Sequence, residues 1–134
     1  MTRRLLAAIS LAAVWLGGCG APTGTPNPTP APVIVTFEVG GDERFKVRLT
    51  DPTDIEVARR LLAGEDAPGI PEGRILRETG VNTGYHWSLD PDDIRFTDET
   101  DEACDGVPSD VESGALTGDR FCPSAAVVVA IDPG

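Results

Sequence analysis

The chain has 134 residues, carries 22 acidic against 11 basic side chains, and has a formal net charge of −11. This length leaves room for one domain with short additional segments. A surface with that charge repels nucleic acids and anionic lipid headgroups, so we expect no nucleic-acid partner. The same charge keeps an exported domain soluble.

The N-terminus has the pattern of an export signal. A short positive stretch precedes residues 5–16, an apolar run of about a dozen residues that is shorter than the roughly 20 a transmembrane helix needs. The Leu-Gly-Gly sequence at 16–18, directly before Cys19, resembles the lipobox of bacterial lipoproteins, in which the cysteine is acylated and becomes the mature N-terminus. We therefore predict a lipoprotein signal peptide at 1–18 and a lipidated Cys19 that anchors the protein to the outer face of the cell membrane. The alternative is an ordinary signal cleaved nearby, which leaves Cys19 as a stray thiol.

Residues 20–32 are rich in proline, with four prolines at alternate positions from Pro26 to Pro32. Such spacing excludes helices and sheet ladders and favours an extended polyproline II chain of about 3.1 Å per residue. We expect residues 19–32 to be a tether and residues 33–134 to be an extracytoplasmic domain. Thr-Pro repeats of this kind also occur as glycosylation sites or as ligands of proline-binding modules. Without the two arginines of the signal, the remaining 9 basic and 22 acidic side chains leave a net charge of −13.

Two alternating stretches begin the domain. Residues 33–39 and 44–50 place apolar side chains at every second position, which predicts an antiparallel hairpin with one face in solvent. The solvent face of the second stretch carries a basic stripe, which is either an ordinary solvated surface or a site for an anion. It lies across from Glu38 and consists of Arg44, Lys46 and Arg48.

A helix and several short elements follow. Asp51 is a capping residue and Pro52 suits the first helical position, so a helix is predicted from Pro52 to a stop at Gly64. The predicted fold is a single small α+β domain, mostly antiparallel sheet with one main helix packed on it and one disulfide. Its further expected elements are a loop at 64–73, strands at 74–79, 85–89 and 94–96, a turn at 90–93, a short helix started by Ser109 within 108–116, and a central, buried strand at 125–131.

Cys104 and Cys122 are the cysteines that follow Cys19. A pair of cysteines in an exported domain indicates a disulfide, and the 17 intervening residues give it about 3 kcal/mol in the loop-entropy description. A metal pair or a redox pair would need closer cysteines or additional His and Cys ligands, and the chain has one His. We therefore predict a Cys104–Cys122 disulfide and no zinc site.

The segment from Tyr85 to Asp90 is the candidate binding surface. On the predicted strand, Tyr85 and Trp87 face the core, whereas His86, Ser88 and Asp90 share the other face. These three residue types suggest a catalytic triad. Neighbours on one strand face, however, are about 6.6–7 Å apart along the chain, and this spacing does not favour the continuous chain of hydrogen bonds that a triad needs. The chain also lacks a Gly-x-Ser-x-Gly nucleophile turn. We therefore favour a binding surface over an enzyme and assign no catalytic residue.

Acidic residues crowd the loops at 90–93 and 98–105. Carboxylates can supply oxygen ligands to calcium, although the spacing does not match an EF-hand loop. Apart from calcium, no cofactor is expected. The calcium candidates are Asp92, Asp93, Asp98 and Asp101.

Four short stretches, at 48–52, 85–91, 102–105 and 121–123, follow one another in an order that resembles the BP-seventy-four N-terminal domain, a family of small secreted domains of bacteria and slime moulds. The family pattern has Trp-Ser-aromatic-His before Leu-Asp-Pro, whereas this chain has Tyr-His-Trp-Ser there, so the Ser and His positions are exchanged. That exchange removes a catalytic His from the family position. The resemblance implies an extracellular domain with the Cys-Cys bridge and no defined activity.

Anchor, tether and domain together predict a cell-surface lipoprotein that displays a small disulfide-bonded binding domain. The expected partners are the membrane, through the lipid anchor, and another protein or an envelope component. Two alternatives stay open. One is a small envelope hydrolase or protease inhibitor that uses the Tyr85–Asp90 strand, and the other is a calcium-dependent adhesion module.

Overall fold

A computed structural model describes residues 17–18, 20, 24 and 26–134. Residues 1–16 of the predicted signal peptide and the predicted lipidation site at Cys19 lie outside the described residues. No helix in the described part is long and apolar enough to cross a membrane. The elements, in chain order, are β1 (Val33–Val39), β2 (Glu43–Leu49), α1 (Pro52–Leu62), β3 (Ile70–Leu76), β4 (Ser88–Thr97), α2 (Pro108–Ser113), β5 (Arg120–Phe121) and β6 (Ala126–Pro133).

The hairpin and the helix predicted at the start of the domain are confirmed. β1 and β2 pair antiparallel and bury their alternate apolar residues. The Asp51 carboxylate accepts hydrogen bonds from the backbone N–H groups of Thr53 and Asp54. This caps α1, because the first N–H groups of a helix have no partner within it. The helix then buries Ile55 and Ala58 in the core.

The described strands form two antiparallel three-stranded sheets, with strand orders β2-β1-β6 and β4-β3-β5. An aromatic cluster joins them: the ring of Phe45 in β2 lies 5.9 Å from that of Trp87, just before β4, and 5.4 Å from that of Phe121 in β5. Phe37 of β1 stacks on Phe45 at 5.2 Å. The α+β class is therefore confirmed, with one main helix and with the sheet divided in two.

The strand predicted at 74–79 lies instead at Ile70–Leu76, so the prediction of a loop up to residue 73 was wrong. The loop was predicted because it contains Pro71, and proline cannot donate a ladder hydrogen bond and is rare inside sheets. Here β5 pairs only with Gly73 and Arg74. At Pro71, β3 therefore has a paired neighbour on one side only, and the proline interrupts no second ladder.

One strand, β4, replaces the strand, turn and strand predicted over 85–96. The chain does not reverse at 90–93. Instead the register of β3 against β4 shifts between Gly73 and Ile75, and residues 90–93 bulge out of the ladder. A Cβ on Gly73 would lie 3.1 Å from the carbonyl oxygen of Asp93. Glycine thus permits the close approach that the bulge requires.

β6 is an edge strand, not the central buried strand predicted at 125–131. It pairs with β1 on one side and with no other described strand on the opposite side. Val128 faces the core, whereas Val127 is 61% exposed. An apolar pattern on both faces is typical of a central strand, but here the outer face carries small and branched apolar residues in solvent.

The Cys104–Cys122 disulfide is confirmed. The backbone N–H of Cys122 also donates to the carbonyl of Cys104 at 2.7 Å. The Asp105 carboxylate accepts bonds from the N–H and the hydroxyl of Ser124, each at 2.8 Å. We call this unit, formed by residues 100–106 and 122–124, the disulfide clasp. It explains why the Cys-Asp and Cys-Pro stretches occur together, since both belong to one structural joint.

Candidate functional site

The structure separates the residues of the predicted binding surface. β4 begins at Ser88, so Tyr85, His86 and Trp87 lie in the preceding loop and no common strand face forms. Trp87 is fully buried, and Tyr85 is half-buried at 5.5 Å from it. Ser88 and Asp90 are buried, not exposed on a polar face. Only the His86 side chain, at 92% exposure, extends well into solvent.

His86 pairs with Glu112 of α2, not with Asp90. Its Nδ1 lies 2.5 Å from Glu112 Oε1, and its backbone N–H donates to Glu112 Oε2 at 2.9 Å. These bonds, first from the imidazole and then from the backbone, lower the pKa of Glu112 below its usual value. Since a carboxylate can only accept, this geometry places the imidazole proton on Nδ1.

The pairing of His86 helps to dock α2. This helix starts at Pro108, one residue before the predicted start at Ser109. Ser109 instead donates its N–H and its hydroxyl to the carboxylate of Glu43, at 2.9 and 3.1 Å. Two carboxylates, Glu43 from β2 and Glu112 from α2 itself, thus hold the short helix in place.

Asp90 has structural partners of its own. Its carboxylate accepts the backbone N–H of Asp92 at 2.9 Å and a hydrogen bond from the Arg74 guanidinium. The backbone bond, followed by the bond from Arg74, lowers the pKa of Asp90. His86 and Asp90 therefore have different partners, and the structure does not bring them together with Ser88 as a catalytic relay.

The calcium candidates are dispersed. Asp93 forms an ion pair with Arg120 at 2.8 Å, and Asp101 accepts a backbone N–H of its own turn at 2.9 Å. Asp92 and Asp98 are exposed. Among the described residues, no group of three or more His, Cys, Asp or Glu side chains is arranged to hold a metal ion. Calcium binding stays a prediction that a titration can test.

The basic stripe on β2 is partly neutralised. Arg44 pairs with Glu38 at 2.8 Å, as the hairpin register predicts. Lys46 and Arg48 have no carboxylate partner within residues 26–134. Both belong to the outer face of the first sheet, where they are half-buried and where Thr36 of β1 is buried.

Among the described strands, three of the four outermost ones have features that disfavour further pairing along part of their edge. Along β2, the Asn82 side chain accepts the N–H of Lys46 at 3.0 Å and donates to the carbonyl of Trp87 at 3.0 Å. β4 contains Pro91, which has no N–H, and the next N–H is taken by a carboxylate. β5 is two residues long and leads directly into Cys122 of the disulfide clasp. Each of these features disfavours the pairing of a further strand.

The fourth edge is the side of β6 that faces away from β1, and we call it the β6 edge. The residues from Ala126 to Ile131 contain neither a charge nor a proline. In an antiparallel pair, alternate residues direct their N–H and C=O groups away from the partner strand. No described strand pairs with the groups on this side, although the N–H of Ala126 donates to the carbonyl of Pro123 at 3.2 Å. A bulge at Val129 bends the strand, which is a mild protection. The arrangement can accept one additional strand.

Local sequence patterns could not identify the β6 edge. Strand order here depends on pairing between Val33 and Pro133, at opposite ends of the domain. Alternation reports which faces are apolar, not how many neighbours a strand has. The available signal is the run from Ala126 to Ile131 without charge or proline, although β6 itself ends in Asp132 and Pro133.

Comparisons with known proteins give one match. The model of the family described as the BP-seventy-four N-terminal domain matches residues 31–133, which includes all strands and both helices described above. No curated protein and no solved structure matches the chain. Consequently, no relative supplies an activity or a ligand.

Proposed function

The chain belongs to the BP-seventy-four N-terminal domain family, and from that premise we propose that it is a protein-binding module displayed outside the cell on a lipid anchor. The module takes up an extended segment of a partner protein along the β6 edge. Family membership names the domain and leaves its activity open, so the proposal rests on the geometry of that edge.

The observation that carries the proposal is the contrast between β6 and the other sheet edges. An extended peptide that adds a strand gains affinity from main-chain hydrogen bonds and specificity from its alternate side chains. Val127, at 61% exposure, offers an apolar contact on the outer face of such an added strand. Among the described residues, the bulge at Val129 and the Asp132-Pro133 end give this edge partial protection. The apolar stretch between Ala126 and Val128 stays prone to aggregation, and a partner gives a reason for retaining it.

Charge decides which occupant we favour. Without the signal arginines the chain carries −13, and Asp132 lies on β6 itself. A second copy of the chain would bring an equal negative charge, and the two would repel each other at low salt. A partner segment with alternating apolar residues and flanking Lys or Arg complements this field. The favoured occupant is therefore a basic, extended segment of another protein.

The anchor and the tether would deliver the module to such partners. Two or three acyl chains on Cys19 anchor stably, because each buried methylene contributes about 0.8 kcal/mol. A tether of residues 20–32 in polyproline II geometry spans about 40 Å at about 3.1 Å per residue. The domain would then stand clear of the headgroups, which its negative charge disfavours.

A defined peptide tests the edge. The probe is an octapeptide of alternating Val and Thr with a Lys at each end, added to the isotope-labelled protein. We expect saturable binding with amide chemical-shift changes and hydrogen-exchange protection along β6. The matched peptide with every second backbone nitrogen methylated should bind at least about tenfold more weakly, because it cannot complete the ladder. Equal binding of both peptides, or changes confined to other strands, contradicts the proposal.

Two charge-matched variants sharpen this test. Val127→Lys adds a positive charge beside the bound probe and should weaken it about tenfold. Thr117→Lys adds the same charge in the exposed loop between α2 and β5 and should change the affinity less than about twofold. Equal effects of the two substitutions would show that net charge alone governs binding and would remove the β6 edge as the site.

The anchor is tested separately. Cys19→Ala should move the protein from the membrane fraction to the soluble fraction, and the mature wild-type N-terminus should carry the mass of an acylated cysteine. A variant that stays in the membrane fraction argues against lipidation at Cys19. This outcome leaves the β6 test unaffected, since the peptide assay does not use the anchor.

A further inference from the structure

A small cavity lies on the second sheet, next to the start of β4. Its volume is about 150 Å³, similar to that of an engineered apolar protein cavity of about 150 Å³ that binds benzene. This is enough for one branched aliphatic group. The wall is mainly apolar and is formed by Leu76, Val81, Leu89 and Pro91.

Ser88 supplies a polar group in that wall. The residue is buried at 5% exposure, and its hydroxyl has no hydrogen-bond partner among the described residues. Gly80, with φ +52°, closes over it, and a Cβ there would lie 2.9 Å from Ser88 Oγ. Among the described residues, Trp87 Nε1 is the one fully buried side-chain N or O atom without a partner. The Ser88 hydroxyl is therefore open to the cavity that it lines, where it can donate to a ligand that carries an acceptor.

Arg48 supplies a charge at the same cavity. Most arginines of the described part are paired with carboxylates, as Arg44, Arg74 and Arg120 illustrate. Arg48 has no carboxylate within ion-pair distance in residues 26–134, although the domain is strongly acidic. Glu78 also lines the cavity without pairing with Arg48. A guanidinium without a carboxylate partner that lines the same cavity as a hydroxyl can bind a carboxylate through charge-assisted hydrogen bonds.

We propose that this cavity binds a branched aliphatic group that carries a carboxylate. The apolar part fills the space between Val81 and Leu89, and the carboxylate accepts hydrogen bonds from the Ser88 hydroxyl and the Arg48 guanidinium. A free short-chain carboxylic acid and the C-terminal residue of a peptide share this chemistry. The site is separate from the β6 edge and does not depend on the function proposed above.

Two pairs of probes test the site on the purified full chain by calorimetry. The first pair is 4-methylpentanoate and its neutral amide. The second is acetyl-Gly-Gly-Leu with a free C-terminus and the same peptide with a C-terminal amide. At least one carboxylate should bind saturably, and its amide should bind at least about tenfold more weakly, because the amide lacks the charge. If 4-methylpentanoate binds more tightly, the ligand is a free short-chain acid; if the peptide binds more tightly, it is the C-terminal residue of a peptide. If neither binds, or if an amide equals its acid, the proposal is overturned.

Four variants locate the binding. Arg48→Gln should lose at least about tenfold in affinity for the carboxylate, whereas Arg59→Gln removes a cation from α1, outside the lining of this cavity, and should have little effect. Glu78→Gln removes a competing negative charge and should strengthen binding. Val81→Phe fills the cavity and should abolish binding with the melting temperature retained. Equal losses in the two Arg variants, or full affinity in Val81→Phe, contradict the assignment.

Discussion

The two edges of the first sheet differ in whether other residues satisfy their backbone hydrogen bonds. β2 is covered by the loop before β4, and Asn82 replaces a neighbouring strand by accepting the N–H of Lys46. No described strand pairs with the outer side of β6. Both strands contribute to the same core, so the difference concerns their outer sides only. It shows that this fold can satisfy a sheet edge with a single side chain and that it nevertheless leaves one edge unpaired.

The largest expected losses of stability come from substitutions on the inner, core-facing sides of these two strands. Phe45→Ala in β2 should lower the free energy of unfolding by about 3–5 kcal/mol, because it empties the aromatic cluster that joins the sheets. Val128→Ala in β6 removes two methyl groups and should cost about 2 kcal/mol. Urea unfolding measures both. If Val128→Ala cost more, β6 would be the better-packed strand and the comparison would be reversed.

The disulfide clasp directly follows β5, and its removal has the next largest expected effect. Replacing both cysteines, Cys104→Ser with Cys122→Ser, should lower stability by about 3 kcal/mol, since the unfolded chain gains the entropy that the loop closure removed. Wild-type protein unfolded with a reductant present is the control and should match the variant. A much smaller loss would mean that Asp105 and Ser124 alone hold the clasp.

Asn82→Ala tests the cover of β2 directly. The substitution leaves the N–H of Lys46 and the carbonyl of Trp87 without partners and should cost about 2 kcal/mol. Hydrogen exchange at Lys46 should accelerate strongly as the edge opens. Thr83→Ala changes the exposed neighbour in the same loop and should stay within about 0.5 kcal/mol. Unchanged exchange in Asn82→Ala would show that the loop covers β2 without this side chain.

Sequence patterns predicted the parts of the fold that local chemistry determines. Alternation, the Asp51 cap and the cysteine pair identified the hairpin, α1 and the disulfide correctly, because each depends on neighbouring residues or on one pairing. The sequence patterns failed where the structure depends on a partner that is distant in the sequence. The bulge opposite Gly73 and the position of β6 at an edge both arise from strands far apart in the sequence, and His86 was assigned no partner because Glu112 is on a different element.

Acid should weaken the domain through two carboxylates. The folded state lowers the pKa of Asp90 and of Glu112, so each contributes stability above its unfolded pKa and loses it as the pH falls through the folded value. We therefore expect the melting temperature to fall below about pH 4. Asp90→Asn should reduce the difference between about pH 7 and about pH 3, and Asp98→Asn, an exposed control, should not. A wild-type melting temperature that rises on acidification contradicts this sign.

The smallest expected change in stability is at the β6 edge itself. Val127→Lys places a charge on an exposed position and should alter the free energy of unfolding by less than about 0.5 kcal/mol. A charge on an edge strand is nevertheless an effective barrier to pairing. If the edge is retained for a partner, this variant should resist aggregation on heating at least as well as the wild type, as measured by light scattering. Its affinity for the probe peptide should nevertheless be reduced. A large loss of stability would instead mean that Val127 packs against the rest of the domain, and the edge would then have a structural role.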